Sequence, residues 1–107
     1  NHTVLFENGH IRLLEVTIRA GEKENFHGHQ YPSVFAFDAV QPRGQDTLMD
    51  TGVTRDIGRM YENAELPACL TMGVQAPHAF HVVDSFQQHF YRLEFKKVDG
   101  KDIFKQP

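Results

Sequence analysis

The chain has 107 residues, the usual size of one domain and too short for two substantial cores, so we expect a single domain over residues 1–107. A net charge of −3 without a basic run argues against a nucleic-acid partner, and no apolar stretch approaches the roughly 20 residues that a membrane span needs. The single cysteine, Cys69, excludes an internal disulfide framework and suits a reducing compartment. We therefore expect a cytoplasmic protein without a membrane partner, in which Cys69 is a small buried hydrophobe.

Short alternating segments, separated by turn residues, dominate the chain from its beginning to its end. In chain order the predicted strands are Thr3–Phe6, His10–Arg19, Val34–Phe37, Thr47–Asp50, Arg59–Tyr61, Ala68–Met72, Ala79–Val83 and Gln88–Lys97. Asn8-Gly9 predicts a turn between the first two. In the second strand the apolar side changes near Leu13-Leu14, which indicates a bulge or burial on both faces. Because no window has a helical period over ten residues, the sequence predicts an all-β sandwich or barrel.

The histidines are the most informative residues, because two of the seven are separated by a single glycine. His27 and His29 flank Gly28, and residues i and i+2 of a strand face the same side. Both imidazoles can therefore approach one metal ion. A catalytic site usually takes three protein ligands, so a distant strand must supply another, and His78 after Pro77 is the best candidate. Taken alone, such a triplet is more often simply part of a polar surface.

Segments around these histidines carry a family resemblance. Gly21, His27 and His29 fit the pattern G-x5-H-x-H-x3,4-E-x6-G, and His78 fits the histidine of G-x5-P-x-G-x2-H-x3-N. The opening Val4-Leu5-Phe6-Glu7-Asn8 and the aromatic-rich last strand extend the likeness over nearly the whole chain. In these features the sequence resembles the small single-domain cupins. The resemblance implies an all-β cupin double-stranded β-helix, a jelly-roll barrel with a metal ion inside.

The sequence departs from the cupin pattern at two positions. The motif glutamate should fall four or five residues after His29, where Ser33 and Val34 stand, and the last asparagine of the second motif is Val82. We therefore predict a site of three histidines, without a carboxylate. Further groups beside the ion could come from Gln30, Glu24 and Tyr31, although none matches the family pattern.

The resemblance also bears on the metal and the reaction. The predicted ligands, His27, His29 and His78, would hold one divalent transition metal ion. Within the cupins, three-histidine iron sites imply dioxygenases of thiols or of β-diketones, so Fe(II) is the favoured ion. Imidazole also suits Zn, Ni, Mn or Cu, and a Lewis-acid reaction stays open.

A substrate pocket is predicted beside the histidines. If the strand register continues through Pro32, then Tyr31, Ser33 and Phe35 face the same interior as His27 and His29, and strand parity gives Phe80 the face of His78. Plain core packing is the alternative for the aromatic residues. Arg92 on the last strand could enter the pocket and bind a carboxylate in a bidentate manner, or it could form a salt bridge at the surface or at a dimer interface. The segment 38–52 is expected to form a long loop at the mouth of the barrel.

Three functions remain open at this point. The first is a metal-dependent enzyme, such as a dioxygenase, that acts on a small organic anion or thiol. The second is a non-catalytic cupin that binds or senses a small ligand, which the missing glutamate would suit. The third is a scaffold with a degenerate, metal-free site, because the fold alone does not determine function. The resemblance to small cupins implies a homodimer, in which the aromatic terminal strand could pair across a two-fold axis, while a closed edge in a monomer is the alternative.

Overall fold

The computed structural model of the chain describes residues 2–59, 65–98 and 101–102. In this part of the chain all regular elements are strands: β1 His2–Glu7, β2 Ile11–Ile18, β3 His27–His29, β4 Ser33–Phe37, β5 Arg43–Leu48, β6 Thr54–Arg59, β7 Ala68–Met72, β8 Gln75–Val82, β9 Gln88–Phe95, β10 Lys97–Val98 and β11 Lys101–Asp102. The predicted all-β class is therefore confirmed. Among these residues no helix is long and apolar enough to cross a membrane.

Two antiparallel sheets form the body of the protein. The larger sheet has five strands in the order β1-β2-β9-β4-β7, and the smaller has four in the order β3-β8-β5-β6. Strands β10 and β11 form a separate two-stranded pair. The chain crosses between the two large sheets several times, and strands distant in sequence consequently lie side by side. This topology places β3 against β8, the two strands that carry the predicted metal ligands.

The core lies between the inner faces of the two sheets. Alternation along β2 buries Leu14, Val16 and Ile18 and leaves the residues between them more accessible, as expected for a strand with one buried face. The rings of Phe35 on β4 and Phe90 on β9 stack with centroids 4.7 Å apart. The whole buried cluster is Leu14, Val16, Ile18, Phe35, Phe37, Phe80, Val82 and Phe90.

Strand β5 is the clearest difference from the sequence prediction, which expected a long loop over 38–52. Residues Arg43–Leu48 form an inner strand of the smaller sheet, between β8 and β6. A Cβ on Gly44 would lie only 2.0 Å from the ring of Phe80. Glycine therefore lets an aromatic ring of the core lie against the backbone of β5, and this pairing in three dimensions defines the strand.

Several smaller differences concern single residues. The irregularity predicted near Leu13-Leu14 of β2 is found opposite them in β1, because the β1–β2 register shifts between Val4 and Phe6. Cys69 on β7 is exposed and not buried, since it stands on the outer face of an edge strand. The predicted strand at Arg59–Tyr61 falls partly outside the described residues, with Arg59 ending β6.

Candidate metal centre

The pairing of β3 with β8 sets the positions of His27 and His78. These two residues are direct partners in the antiparallel register, whereas His29 pairs with Gln75 after a register shift. Directly opposite residues of antiparallel strands have Cβ atoms about 4.5–5.5 Å apart. Gly28 lies within the shift, where a Cβ would come to 3.2 Å from the carbonyl oxygen of Gln75. The absence of a side chain there allows the close approach of the two strands.

The rings of the three predicted ligands converge on one region. Ring centroids are 4.9 Å apart for His27 and His29, 5.0 Å for His27 and His78, and 5.6 Å for His29 and His78. All three side chains line one cavity. The structure thus brings together His27, His29 and His78, while their binding of a metal ion stays a prediction.

Two of these imidazoles donate a hydrogen bond from Nδ1 to an oxygen of the protein. Nδ1 of His27 donates to the carbonyl oxygen of Asn25 at 2.8 Å, and Nδ1 of His78 donates to the carboxylate of Asp46 at 2.9 Å. Nδ1 of His29 lies 3.9 Å from Oε2 of Glu94, beyond direct hydrogen-bond distance. A partner on Nδ1 fixes the tautomer in which Nε2 carries the lone pair. Histidine ligands of metal ions in proteins are oriented in this way.

An orphaned nitrogen indicates what the site can hold. Nε2 of His78 is buried and has no hydrogen-bond partner in the described part of the chain. A buried polar atom without a partner is costly, so a missing ligand is the natural explanation. Neighbouring imidazoles form a donor set that suits Fe, Zn, Cu and Ni. The residues present therefore fit a divalent transition metal ion.

Two histidines of the cavity have lowered pKa values. Burial, together with the positive charge of Arg92, lowers the pKa of His29 to about 2. Burial also lowers the pKa of His2 to about 4, with His27 as the next cause. A histidine must be deprotonated to bind a metal ion, so both side chains are already in the binding form near neutral pH.

Sequence reasoning missed one histidine of this cluster. His2 on β1 has its ring centroid 5.2 Å from that of His27 and 5.7 Å from that of His29. One ligand atom from each of His2, His27 and His29 lies within 4.8 Å of the other two. Neither cupin motif contains such a residue, and a lone histidine 25 positions from the triplet carries no spacing signal.

Carboxylates surround the histidines although the motif glutamate is absent. Glu24 is buried, its Oε1 accepts from the backbone N–H of Phe80 at 3.2 Å, and its Oε2 lies 3.7 Å from Nε2 of His27. Glu94 is fully buried, and its Oε1 accepts from Nε of Arg12 at 2.6 Å. Glu24 was named from the sequence as a group that could lie beside the ion. Asp46 and Glu94 carry no sequence signal for this position.

A cavity of about 280 Å³ adjoins the histidines, and its walls are mainly apolar. Three of the five predicted pocket residues line it, namely Phe35, Phe80 and Arg92. Tyr31 and Ser33 do not line it, which corrects the sequence prediction. The chain leaves the strand conformation between His29 and Ser33, and Ser33 is buried on the inner face of β4 together with Phe35 without lining the cavity. Tyr31 instead lies beneath Arg12, whose guanidinium carbon is 5.7 Å from the centroid of the Tyr31 ring.

Arg92 is the only cation among the buried residues that line this cavity in the described part of the chain. Its guanidinium lies 4.6 Å from the ring centroid of Phe35, and its Nη2 donates to Oε1 of Gln75 at 2.9 Å. Its Nε has no hydrogen-bond partner among the described residues and lies 3.8 Å from Oε2 of Glu94. Burial lowers the pKa of Arg92 to about 10, so the side chain stays charged at neutral pH. The sequence allowed Arg92 to lie in the pocket or at the surface, and the structure shows it in the pocket.

Comparison with solved structures identifies this architecture. A cupin domain from Bordetella pertussis Tohama I superposes with a TM-score of 0.67, at 16% sequence identity over 91% of this chain and 93% of that one. The chain has the cupin fold. A second cupin, an RmlC-like family protein with a double-stranded β-helix fold from Methanocaldococcus jannaschii, superposes with a TM-score of 0.56, at 11% identity over 89% of this chain and 78% of that one.

The comparisons establish the fold of this chain and nothing finer. The resemblance to small cupins stated from the sequence is confirmed at that level, as is the jelly-roll architecture. No protein-family model and no curated protein matches the sequence. Sequence identities of 11% and 16% carry no reaction over to this chain. The function must therefore be argued from the site itself.

Proposed function

We propose that this cupin binds one divalent transition metal ion through His27, His29 and His78 and uses it to act on a small organic anion or thiol. The observation that carries the proposal is the closeness of the three rings, with two of them held through Nδ1 and the buried Nε2 of His78 left for a ligand. Fe(II) is the favoured ion and Zn, Ni, Mn or Cu are alternatives. When bound, the ion would supply a Lewis acid or, as Fe(II), a site for dioxygen chemistry.

The cavity supports the choice of a small anionic substrate. Its apolar wall, with Phe35, Phe80 and Phe90, suits a small organic body. Arg92 presents a buried positive charge to the same space, and guanidinium groups bind carboxylates with directional, charge-assisted hydrogen bonds. A substrate held between the ion and Arg92 would have its negative group neutralised and its apolar part enclosed.

Elemental analysis of the purified protein tests the metal site. We expect about one equivalent of a transition metal in the wild type, and its loss in His27→Ala and His78→Ala. The matched control is His10→Ala, since His10 is an exposed histidine that does not line the cavity. A full equivalent retained in both site variants, or no metal bound by the wild type after reconstitution with Fe(II) or Zn(II), would refute the proposed site.

A binding and turnover assay tests the substrate class. Benzoate is a suitable first probe, because it combines a carboxylate with an apolar ring. Calorimetry should show that Arg92→Met weakens benzoate binding, whereas Arg19→Met, at an exposed arginine outside the cavity, leaves it unchanged. Oxygen consumption by the Fe(II)-loaded protein with a panel of small thiols and carboxylates then separates the enzyme from the alternative. Tight binding without turnover over that panel would favour a ligand-binding or sensing cupin.

A further inference from the structure

His2 occupies a position that the three-histidine site does not require. It stands on β1, an edge strand of the five-stranded sheet, whereas His27, His29 and His78 stand on the four-stranded sheet. The β1–β2 register pairs His2 with Val16, whose side chain lines the cavity wall, and this directs the imidazole of His2 over the cavity. The two sheets thus both contribute histidine side chains to one space.

The distances between the histidine nitrogens are compatible with one shared metal ion. Two donor atoms bound to one ion at about 2.0–2.2 Å lie roughly 3–4.4 Å apart, depending on the angle between them. The ligand atoms of His2, His27 and His29 lie within 4.8 Å of one another. Side-chain rotations that move each nitrogen by less than about 1 Å would bring them onto one ion.

Glu24 adds a negative charge at the point where the two sheets meet. Its carboxylate is held by the backbone N–H of Phe80, and its Oε2 lies 3.7 Å from Nε2 of His27 and 4.0 Å from Nδ1 of His2. The side chain of Glu24 is only 4% exposed. A buried carboxylate favours a cation beside it, because its charge is otherwise left in a medium of low dielectric.

We infer that His2 is a fourth imidazole ligand of the metal ion, so that the ion ties the edge strand β1 to the opposite sheet. The inference rests on the proposed function, because it needs an ion on His27, His29 and His78. A divalent ion that bridges the sheets would protect β1 from opening, since this strand otherwise depends on β2 for its strand pairing within the described residues. The protein would then couple metal binding to the order of its first strand.

Metal affinity and Cu(II) spectroscopy together test this inference. We expect His2→Ala and the milder His2→Asn to weaken Zn(II) binding at least about tenfold in competition with a chelator, since even outer groups around a metal site contribute that much. The Cu(II) electron paramagnetic resonance spectrum of the wild type should show nitrogen hyperfine coupling that is reduced in both variants. Thr3→Ala is the control on the same strand and should match the wild type.

Hydrogen exchange provides the second readout. Zn(II) should slow amide exchange in β1 of the wild type and of Thr3→Ala, but not in the His2 variants. If the His2 variants bind Zn(II) as tightly as the wild type, with an unchanged Cu(II) spectrum, while His27→Ala loses the metal, then His2 is not a ligand and the proposed function stands. If the wild type binds neither Zn(II) nor Cu(II), the inference and the proposed metal site fail together.

Discussion

Asp46 shows how a single side chain outside the motifs can shape the site. It stands on β5 opposite Phe80, and its carboxylate reaches diagonally to Nδ1 of His78 at 2.9 Å. The carboxylate fixes the ring of His78 and the tautomer that leaves Nε2 for a ligand. At the proposed metal site it would therefore act through His78, as a positioning residue.

We predict that Asp46→Ala lowers Zn(II) affinity by about 10–100-fold, because the ring of His78 loses the acceptor that orients it and raises its basicity. The measurement is competition with a chromophoric chelator at fixed pH. Asp50→Ala, at an exposed carboxylate in the turn after β5, is the control and should bind as the wild type does. Equal affinities for the two variants would show that Asp46 does not position the ligand.

Glu94 is a fully buried carboxylate that pairs with a neighbouring arginine. Arg12 donates to it through Nε at 2.6 Å, and the side chain of Arg12 is itself one-third exposed. Removal of one partner from a buried ion pair is more costly than the net contribution of the pair, because the remaining charge stays in the interior.

We predict that Arg12→Met lowers the free energy of unfolding by about 1–3 kcal/mol, measured by urea denaturation. Lys96→Met, which removes the partner of Glu7 at the surface, should cost clearly less, because solvent screens this pair. The comparison is informative because both changes delete one cation from one ion pair and differ mainly in the burial of the carboxylate. Equal losses in the two variants would contradict the role given to burial.

At the residue scale, the sequence predicted only those histidines of the site that a pattern along the chain marks. His27 and His29 are separated by a single residue, and His78 matches the histidine of the second cupin motif. By contrast, His2, Asp46 and Glu94 reach the site through strand register. Their partners are 25 to 65 positions away in the chain, so no local pattern could indicate them.

At the scale of elements, strands with regular alternation were predictable. The predicted strands His10–Arg19 and Gln88–Lys97 correspond to β2 and β9 within two residues at each end. Strand β5 was not predicted in full, because Arg43-Gly44-Gln45-Asp46-Thr47 has no apolar alternation. Its conformation comes from pairing with β6 and β8 on its two sides and from the ring of Phe80 over Gly44.

We predict that Gly44→Ala destabilises the protein by about 1–3 kcal/mol, as overpacked core positions do. The new Cβ would stand 2.0 Å from the ring of Phe80, so either that ring or the backbone of β5 must move. Thermal or urea unfolding gives the measurement. Gly9→Ala is a matched control, because no other atom lies within 4 Å of the position of its Cβ, and it should stay within about 0.5 kcal/mol of the wild type.

At the scale of the whole molecule, the strand order determines which surface is open to another chain. Within the described residues β1 pairs only with β2, which makes it an edge of the larger sheet. Three consecutive apolar residues on this edge, Val4, Leu5 and Phe6, are 53%, 49% and 51% exposed. Exposed apolar edge strands invite pairing with a further strand. The homodimer expected from the sequence could therefore form at β1, whereas β9, the aromatic strand suggested for it, is an inner strand.

We predict a two-fold dimer in which β1 pairs antiparallel with β1 of a second copy, since a closed two-fold interface uses the same surface on both subunits. Sedimentation velocity of the wild type should give the mass of a dimer. Phe6→Lys should give a monomer, because the charge opposes strand pairing at an edge and removes apolar area from the interface. The control is Val53→Lys, which adds the same charge at a residue with 50% exposure in the turn between β5 and β6. A wild-type monomer would contradict the predicted dimer. A dimer that persists in Phe6→Lys and dissociates in Val53→Lys would place the interface elsewhere.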